Sequence, residues 1–541
     1  MSMSVSLPLT LDARQHGLVG DGVTDDQPAF ARLVDMVGAA CAADGRPRTI
    51  EVPAGRYVIR DRPTVWHSGV SLIGAGRGAT CFVLENPGAP RTPVPLAWFT
   101  TAQHGAGRDR HIADVTFAHF EIDGSGVRTE EYEVLAKGLG LQYVLRGRFS
   151  DLYIHDTAAT GFGCDFLQDT VVEGVLAERC GRQDPGEKMG GAGIGIGVGG
   201  WGPSERLTIT SCTAVGNGTN GIFLELQQEH WTPPRGIRIV ACHCEDNRFG
   251  ISDWGADGLV VSASTMIGNH EAGFDVSSQG TTSVGGRGGI VTGCVIDGNV
   301  RDGVGFGNSP GPYAFRGNRI SNNGRYGYWD HNLEGGDQEP AMDVVLESND
   351  ICGNALDGVR VDAGLRDSAL LGNRIRDNGR RAAPAASGGG DGVRCSPFTL
   401  VDEGAAWPPD GHRGKLVTVG EQSARVVYNT GTELGLAPWR PGAPTAWPDG
   451  TPAPGSGYRL PGCPAVRAGI TVDSPVSRPQ LTGNRVWDDR RPQTQTHGLW
   501  ITADGRMTGG RVTDNDFSGN ASAATRFDTA PVGGRWQDND A

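Results

Sequence analysis

GNGTNGIFLEL (216–226), DNRFGISDW (246–254), GNHEAGFDVS (268–277), GNVRDGVGFG (298–307), SNNGRYGYWDH (321–331) and GNALDGVRVD (353–362) are variants of one phrase. Each has an Asn-centred turn, a few residues, then a glycine that opens an alternating apolar run. The opening glycines Gly221, Gly250, Gly273, Gly303, Gly327 and Gly358 stand 29, 23, 30, 24 and 31 residues apart. Looser copies follow at DGVRCS (391–396), AGITVDS (468–474) and HGLWITAD (497–504). Self-similarity at this period marks a solenoid, in which each repeat buries its apolar face only by stacking on its neighbours. The chain has 85 glycines in 541 residues, about twice the usual share, as a turn every few residues demands.

Alternation along a strand assigns the two faces. With each opening glycine as position zero, positions one and three are apolar: Ile222/Leu224, Phe274/Val276, Val304/Phe306, Val359/Val361, Ile470/Val472 and Leu499/Ile501. These predict the core. Positions two and four face outward and bring Phe223/Glu225, Ser252/Trp254, Asp275/Ser277, Gly305/Gly307, Trp329/His331, Arg360/Asp362 and Thr471/Asp473 to one surface, with Asp165 from the earlier GFGCDF (161–166). Rungs about 4.8 Å apart make that row the length of an oligosaccharide groove, with rings as stacking platforms. Asp253 and Asp330 break the rule at position three. Either the strand bulges there to serve a site, or each aspartate satisfies turn amides.

Glycoside cleavage needs an acid to protonate the leaving oxygen and a second carboxylate as base or nucleophile. Glu225, Asp253 and Asp275 are the catalytic candidates, the neighbouring pairs being geometrically easier than Glu225 with Asp275, which are two rungs apart. Solvated surface charge is the alternative reading of Glu225 and Asp275. Asp165, Trp231, Trp254, Trp329, Asp330, His331 and Arg360 are the substrate-binding candidates. The long loop LQQEHWTPPRG (226–236) carries Glu229, His230 and Trp231 and would overhang the same face, as would GGWGPSE (199–205).

The N-terminal block, DARQHGLVGDGVTDDQPAFARLVDMVGAA (12–40) followed by VPAGRYVI (52–59), places Asp25 or Asp26 as a helix cap, Pro28 in the first turn and Phe30, Leu33, Val34 and Val37 as an apolar stripe. GDGVTDD, the short helix and VPAGRYVI resemble the N-terminal segment of the pectate-lyase-like right-handed parallel β-helix superfamily. That group holds polygalacturonase-type hydrolases, lyases, epimerases and phage tailspike depolymerases. The resemblance implies an all-β fold: a single-stranded right-handed parallel β-helix solenoid with an N-terminal capping helix. The expected organisation is a cap and first strands (1–64), coils (65–396), a small β-structured insertion (397–464) with the strand-like runs KLVTVG, ARVVYN and TELGLA, and closing coils (465–541). RRAAPAASGGG (380–390) reads as a tether.

A net charge of −14 argues against a nucleic-acid partner. No run is long enough to span a membrane, and no cationic start followed by an apolar stretch marks a secretory leader. The expected location is therefore cytoplasmic or virion-associated, or secreted if a leader has been trimmed. Eleven cysteines include no CxxC pair. Cys164, Cys212, Cys242, Cys294, Cys352 and Cys395 read as small buried hydrophobes, and Cys242-His243-Cys244 alternates in, out, in. No metal or other cofactor is expected.

The expected function is cleavage of glycosidic bonds in an oligo- or polysaccharide, by hydrolysis or intramolecular transfer. A second reading starts from Tyr326-Gly327-Tyr328-Trp329-Asp330-His331. It is similar to the Tyr-Gly-Phe-Asp-Pro-His signature of alginate epimerases and related lyases, although a Trp precedes the Asp and one residue before the His is missing. That likeness implies proton handling next to a uronate by Tyr326 and His331, with Asp330 beside them and Arg360 as the neutralising cation. A third reading is a tailspike-like, glycan-binding fibre without turnover; tailspikes also suggest a homotrimer.

Overall fold

The computed structural model describes residues 7–60, 64–86, 99–101, 107–129, 136–181, 191–228, 230–277, 286–307, 309–332, 340–380, 383–439 and 443–540. Two compact units divide the chain: 1–247 with 253–260 and 280–283, and 248–252 with 261–279 and 284–541.

In the first unit, helix α1 (Gln27–Asp44) begins with Pro28 in its first turn and ends at Gly45, whose φ of +69° suits glycine. Phe30, Leu33, Val34 and Val37 are buried as the stripe requires. Asp25 supplies an oxygen to the Gln27 N–H at 3.1 Å. Asp26 turns instead to the Val19 and Gly20 amides. Parallel strands follow: Val172 aligns with Ile209 and Ile209 with Ile239, so that apolar residues stack in files. Strands β1 (Ile194–Val198) and β2 (Asn220–Leu226) pair in parallel beside them.

The second unit repeats the coil with greater regularity. Strands β3 (Ala272–Val276), β4 (Asp302–Gly307), β5 (Tyr328–His331), β6 (Val359–Val361), β7 (Ala468–Val472), β8 (His497–Ile501) and β9 (Ala523–Phe527) form one parallel sheet. Each core position assigned from the repeat is buried, from Phe274 and Val276 to Leu499 and Ile501.

The turn asparagines explain the phrase itself. Asn269, Asn299, Asn323, Asn354 and Asn378 stack coil on coil. Each Oδ1 from Asn299 onward accepts the backbone N–H and the Nδ2 of the asparagine before it, at 2.9–3.1 Å, and Gln495 ends the file. A second file runs Asn318, Asn349, Asn373, Asn484, Asn515, Asn539. These amides are buried and paired, so a polar residue inside the solenoid costs little. The opening glycine is a steric requirement of the same stack. A Cβ on Gly303 would stand 2.4 Å from Ile320 Cγ2 and 2.8 Å from Asn323 Nδ2, and one on Gly327 2.5 Å from Ile351 Cγ2.

The insertion is a seven-stranded antiparallel sheet with its own core, including Val417, Val426, Leu434, Trp447 and Tyr458. KLVTVG, ARVVYN and TELGLA are three of its strands. It begins earlier than the repeat suggests, at Ala386: Ala386–Gly388 of the expected tether is a strand, and Val393–Cys395 of the DGVRCS copy pairs antiparallel with Thr399–Asp402. A short run with the right alternation fits either sheet, and only its neighbour decides. Cys164, Cys212, Cys242, Cys244, Cys294 and Cys352 are buried and Cys395 partly so, while His243 faces outward onto Glu245. No described helix is long and apolar enough to cross a membrane.

Candidate functional site

On the outward face of the first unit, glycines replace side chains where the sheet carries carboxylates. Gly195 aligns with Phe223 and Gly197 with Glu225. Asp165 flanks Gly197 from the other side, its Oδ1 accepting the Gly197 N–H at 2.8 Å. A Cβ on Gly197 would stand 3.0 Å from that oxygen and 2.7 Å from Gln227 Cγ, so the glycine makes room for both groups. Asp165 Oδ2 receives Lys137 Nζ at 3.0 Å and Gln142 Nε2 at 3.4 Å. Glu225 accepts from Gln227 Nε2 at 2.8 Å. Burial, helped by the Asp165 charge, pushes the Glu225 carboxyl above the usual range, against the opposing pull of Gln227 and Lys137.

The local backbone is strained to hold this row. Tyr143 and Phe166, next to Gln142 and Asp165, have φ of +53° and +57°, an uncommon state for bulky residues. Their rings pack 4.6 Å apart, and Phe166 continues onto Trp231 at 5.5 Å. Glu205, fully buried, accepts the Gly199 and Trp201 amides and so fixes the glycine-rich loop behind Gly197; burial raises its carboxyl to about 7. Trp231 is half-buried against Phe166 and His230, and Glu229 lies outside the described residues.

The second unit uses the same device with other groups. Gly305 aligns with Asp275 on one side and Trp329 on the other, and Gly307 aligns with His331. The point where a Gly305 Cβ would stand is 3.5 Å from Asp275 Oδ1 and 3.8 Å from His331 Nε2. A Cβ on Gly307 would fall 2.3 Å from His331 Cε1, so the imidazole lies over the bare glycine backbone. His331 is buried, its Nδ1 has no hydrogen-bond partner among the described residues, and desolvation lowers it to about 4, leaving a neutral ring. Asp275 accepts from Ser277 Oγ at 2.9 Å.

Several expected site residues are otherwise engaged. Asp253 is buried and accepts the Gly255 and Ala256 amides. Asp330 sits in the core file between Phe306 and Val361, accepts the Ala363 and Gly364 amides, and is raised to about 8 by burial. Both are turn caps, which corrects their assignment to catalysis and sugar binding. Trp254 is buried edge-on against Phe223 at 4.8 Å. Trp329 is 6% exposed, with the Arg325 guanidinium 3.7 Å from its ring and His331 at 4.2 Å. Neither indole is an open stacking platform. Arg360 is tied to Asp357, Asp362 and Asp473, so its charge is spent within the protein. Burial pushes the Tyr326 phenol well above its ordinary value, which disfavours a phenolate there. Glu225 and Trp231 stay partly exposed, Asp275 and His331 are buried beside Gly305, and Asp165 joins Glu225 in one row.

Sequence reasoning missed Gly195, Gly197, Lys137 and Gln227. GIGIGV (193–198) carried a signal, since it is a strand whose outward positions are all glycine. Among the described residues, Cys81, Glu121 and Asp123 bring ligand atoms within 4.8 Å of one another. Cys81 and Asp123 are already bonded, to Glu121 and Arg56 respectively.

The sequence profile described as "Right handed beta helix region" matches residues 232–338. "Depolymerase 1, capsule KN3-specific" of Klebsiella phage KN3-1 is 28% identical over 196 residues, covering 35% of this chain and 23% of that protein. Mannuronan C5-epimerase AlgE3 of Azotobacter vinelandii is 27% identical over 203 residues, covering 31% of this chain and 10% of that one. The matches thus span under a quarter of either relative. The N-terminal fragment of bacteriophage phi29 gene product 12 superposes with a TM-score of 0.51 at 14% identity, over 98% of this chain and 71% of that one. Stacked parallel coils, asparagine files, profile and superposition agree: the chain is a right-handed parallel β-helix protein.

Proposed function

We propose that the protein acts on a carbohydrate chain and breaks a glycosidic bond, with Glu225 as general acid and Asp165 as its partner carboxylate. The observation that carries this reading is the placement of the two on either side of Gly197. Two rungs put their backbones roughly 10 Å apart. That spacing favours carboxyls far enough apart for a water between them, the inverting arrangement of about 6.5–9.5 Å. Glu225, raised by burial, holds its proton for the leaving oxygen. Asp165, held by Lys137 and the Gly197 amide, would orient the water, and Trp231, backed by Phe166, offers apolar surface to a sugar face. The relatives named as a capsule depolymerase and a mannuronan epimerase support a carbohydrate substrate. The phage relative also supports a virion-borne setting, in which a homotrimer would be seen by light scattering.

Turnover on a polysaccharide panel with product mass spectrometry tests the reading. Hydrolysis adds one water per cut, and both Glu225→Gln and Asp165→Asn abolish it while circular dichroism is unchanged. Full turnover by Glu225→Gln sinks it. One observation favours a second reading: the neutral His331 beside Asp275, its Nδ1 without a hydrogen-bond partner among the described residues, suits proton abstraction next to a uronate. Products absorbing in the near ultraviolet, or isomerised sugars of unchanged mass, together with silence of His331→Gln, would select it.

A further inference from the structure

The insertion packs against coils of its own unit. Gly414 Cα is 3.3 Å from where a Gly324 Cβ would stand, an Arg413 nitrogen is 4.0 Å from the same point on Gly298, and Lys415 Nζ is bonded to the Ala383 carbonyl at 2.7 Å. The first two of these contacts fall on the turns from which Arg301 and Arg325 depart. The Gly414 N–H donates to the Val426 carbonyl at 2.7 Å, which brings the neighbouring Arg425 to the same turns. There Arg301 is paired with Glu271 and lies 3.9 Å from Asp302, while Arg325 Nε donates to Asp302 at 2.8 Å. Arg425 feels Glu271, Arg301, Asp302 and Arg325, and burial among cations lowers it to about 10, so it is still charged at neutral pH. Among the described residues its guanidinium has no hydrogen bond or ion pair, although it is half-buried. Three guanidiniums face two carboxylates, and one positive charge lacks a partner. An uncompensated, partly desolvated charge is costly unless a ligand supplies the counter-charge.

We propose that the insertion completes an anion subsite in which Arg425, beside Arg301 and Arg325, binds the carboxylate or sulfate group of an acidic saccharide. The planar fork of arginine matches both groups in bidentate geometry. Arg301 and Arg325 keep their carboxylates, and Arg425 is the group that reaches the ligand. The saccharide identity rests on the carbohydrate reading above; the anion preference rests on the arginines alone.

Calorimetric titration of the full chain, carrying Glu225→Gln to prevent turnover, tests this with an alginate hexamer, a chondroitin sulfate hexamer, maltohexaose and inorganic sulfate. Both acidic hexamers should bind, with affinity falling as salt rises, and Arg425→Gln should weaken them about tenfold, the loss of a charge-assisted pair. Equal binding by Arg425→Gln, or maltohexaose binding as tightly as the acidic hexamers, overturns the proposal. If free sulfate displaces a hexamer at equal concentration, the saccharide part fails. Should Arg425→Gln unfold the insertion, Arg425→Lys decides: it keeps the charge, so loss of salt dependence in that variant overturns the subsite. Turnover of neutral glycans abolished by Glu225→Gln would uphold the proposed function and sink this inference. Acid binding with full turnover by Glu225→Gln would do the reverse.

Discussion

In the first unit the bare pair Gly195 and Gly197 is flanked by two carboxylates and a lysine; in the second, Gly305 and Gly307 are flanked by a carboxylate and a neutral imidazole under arginines. The backbone device is shared. Two outward side chains are deleted from one strand, and the neighbouring rungs reach over the gap at 4.7–4.9 Å spacing. What differs is the charge of the flanks, and with it the chemistry we propose for each: proton delivery by a raised carboxyl on one, anion capture or proton abstraction on the other.

The sharpest break between the two is Glu225→Gln against His331→Gln. Under the proposed function, loss of Glu225 as general acid should cost turnover roughly 10³-fold, while His331→Gln costs less than tenfold if the second unit only binds; steady-state kinetics on one substrate reads both, and the reverse order would move the chemistry to the second unit.

Glu205 extends the comparison to pH. Its folded carboxyl, at about 7, holds a proton more tightly than the unfolded chain, at 4.5. Stability therefore falls as pH rises from about 4.5 to about 7 and stays lowered above that. Glu205→Gln should remove about 3 kcal/mol of that penalty at pH 8 and gain nothing at pH 4, measured by denaturant unfolding across pH. A pH-independent difference would show that the carboxyl is not protonated in the fold.

Gly197→Ala and Gly307→Ala test the shared device. Each new Cβ meets side-chain atoms, of Gln227 at 2.7 Å or of His331 at 2.3 Å. Overpacking of this kind costs about 1–3 kcal/mol. Under the proposed function only Gly197→Ala should also lower turnover, by about 100-fold through displaced carboxylates. The smallest effect is expected at the exposed Arg235–Asp257 pair, where Arg235→Gln should change stability by less than about 1 kcal/mol. Thermal unfolding reads it, and a larger loss would mean that this rim is more cooperative than its exposure suggests.

The repeat was legible because its causes are local and periodic. Stacked asparagines need an Asn in every turn, the next coil's Ile and Asn leave no room for a Cβ at the opening position, and alternation follows from the pleat. The site was legible only in part. Counting rungs gave Glu225, Asp275 and His331 the register the strands have, beside Gly197, Gly305 and Gly307; their roles are proposals. Asp253 and Asp330 were misread as site residues because their partners are turn amides, those of Asp330 a full coil away. Trp329 and Arg360 were placed on the correct face, but the charges and rings that occupy them arrive from other coils.

The amino-acid order alone determined the coil, its core and its outward face, since these depend on spacing along the chain. Only the tertiary structure decided which outward groups are already partnered, where the insertion begins, and that Arg425, about a hundred residues from Arg325 in sequence, shares its surroundings. Partnership between side chains is a property of distance in space, and in a solenoid the nearest neighbour lies one coil on or on an inserted loop.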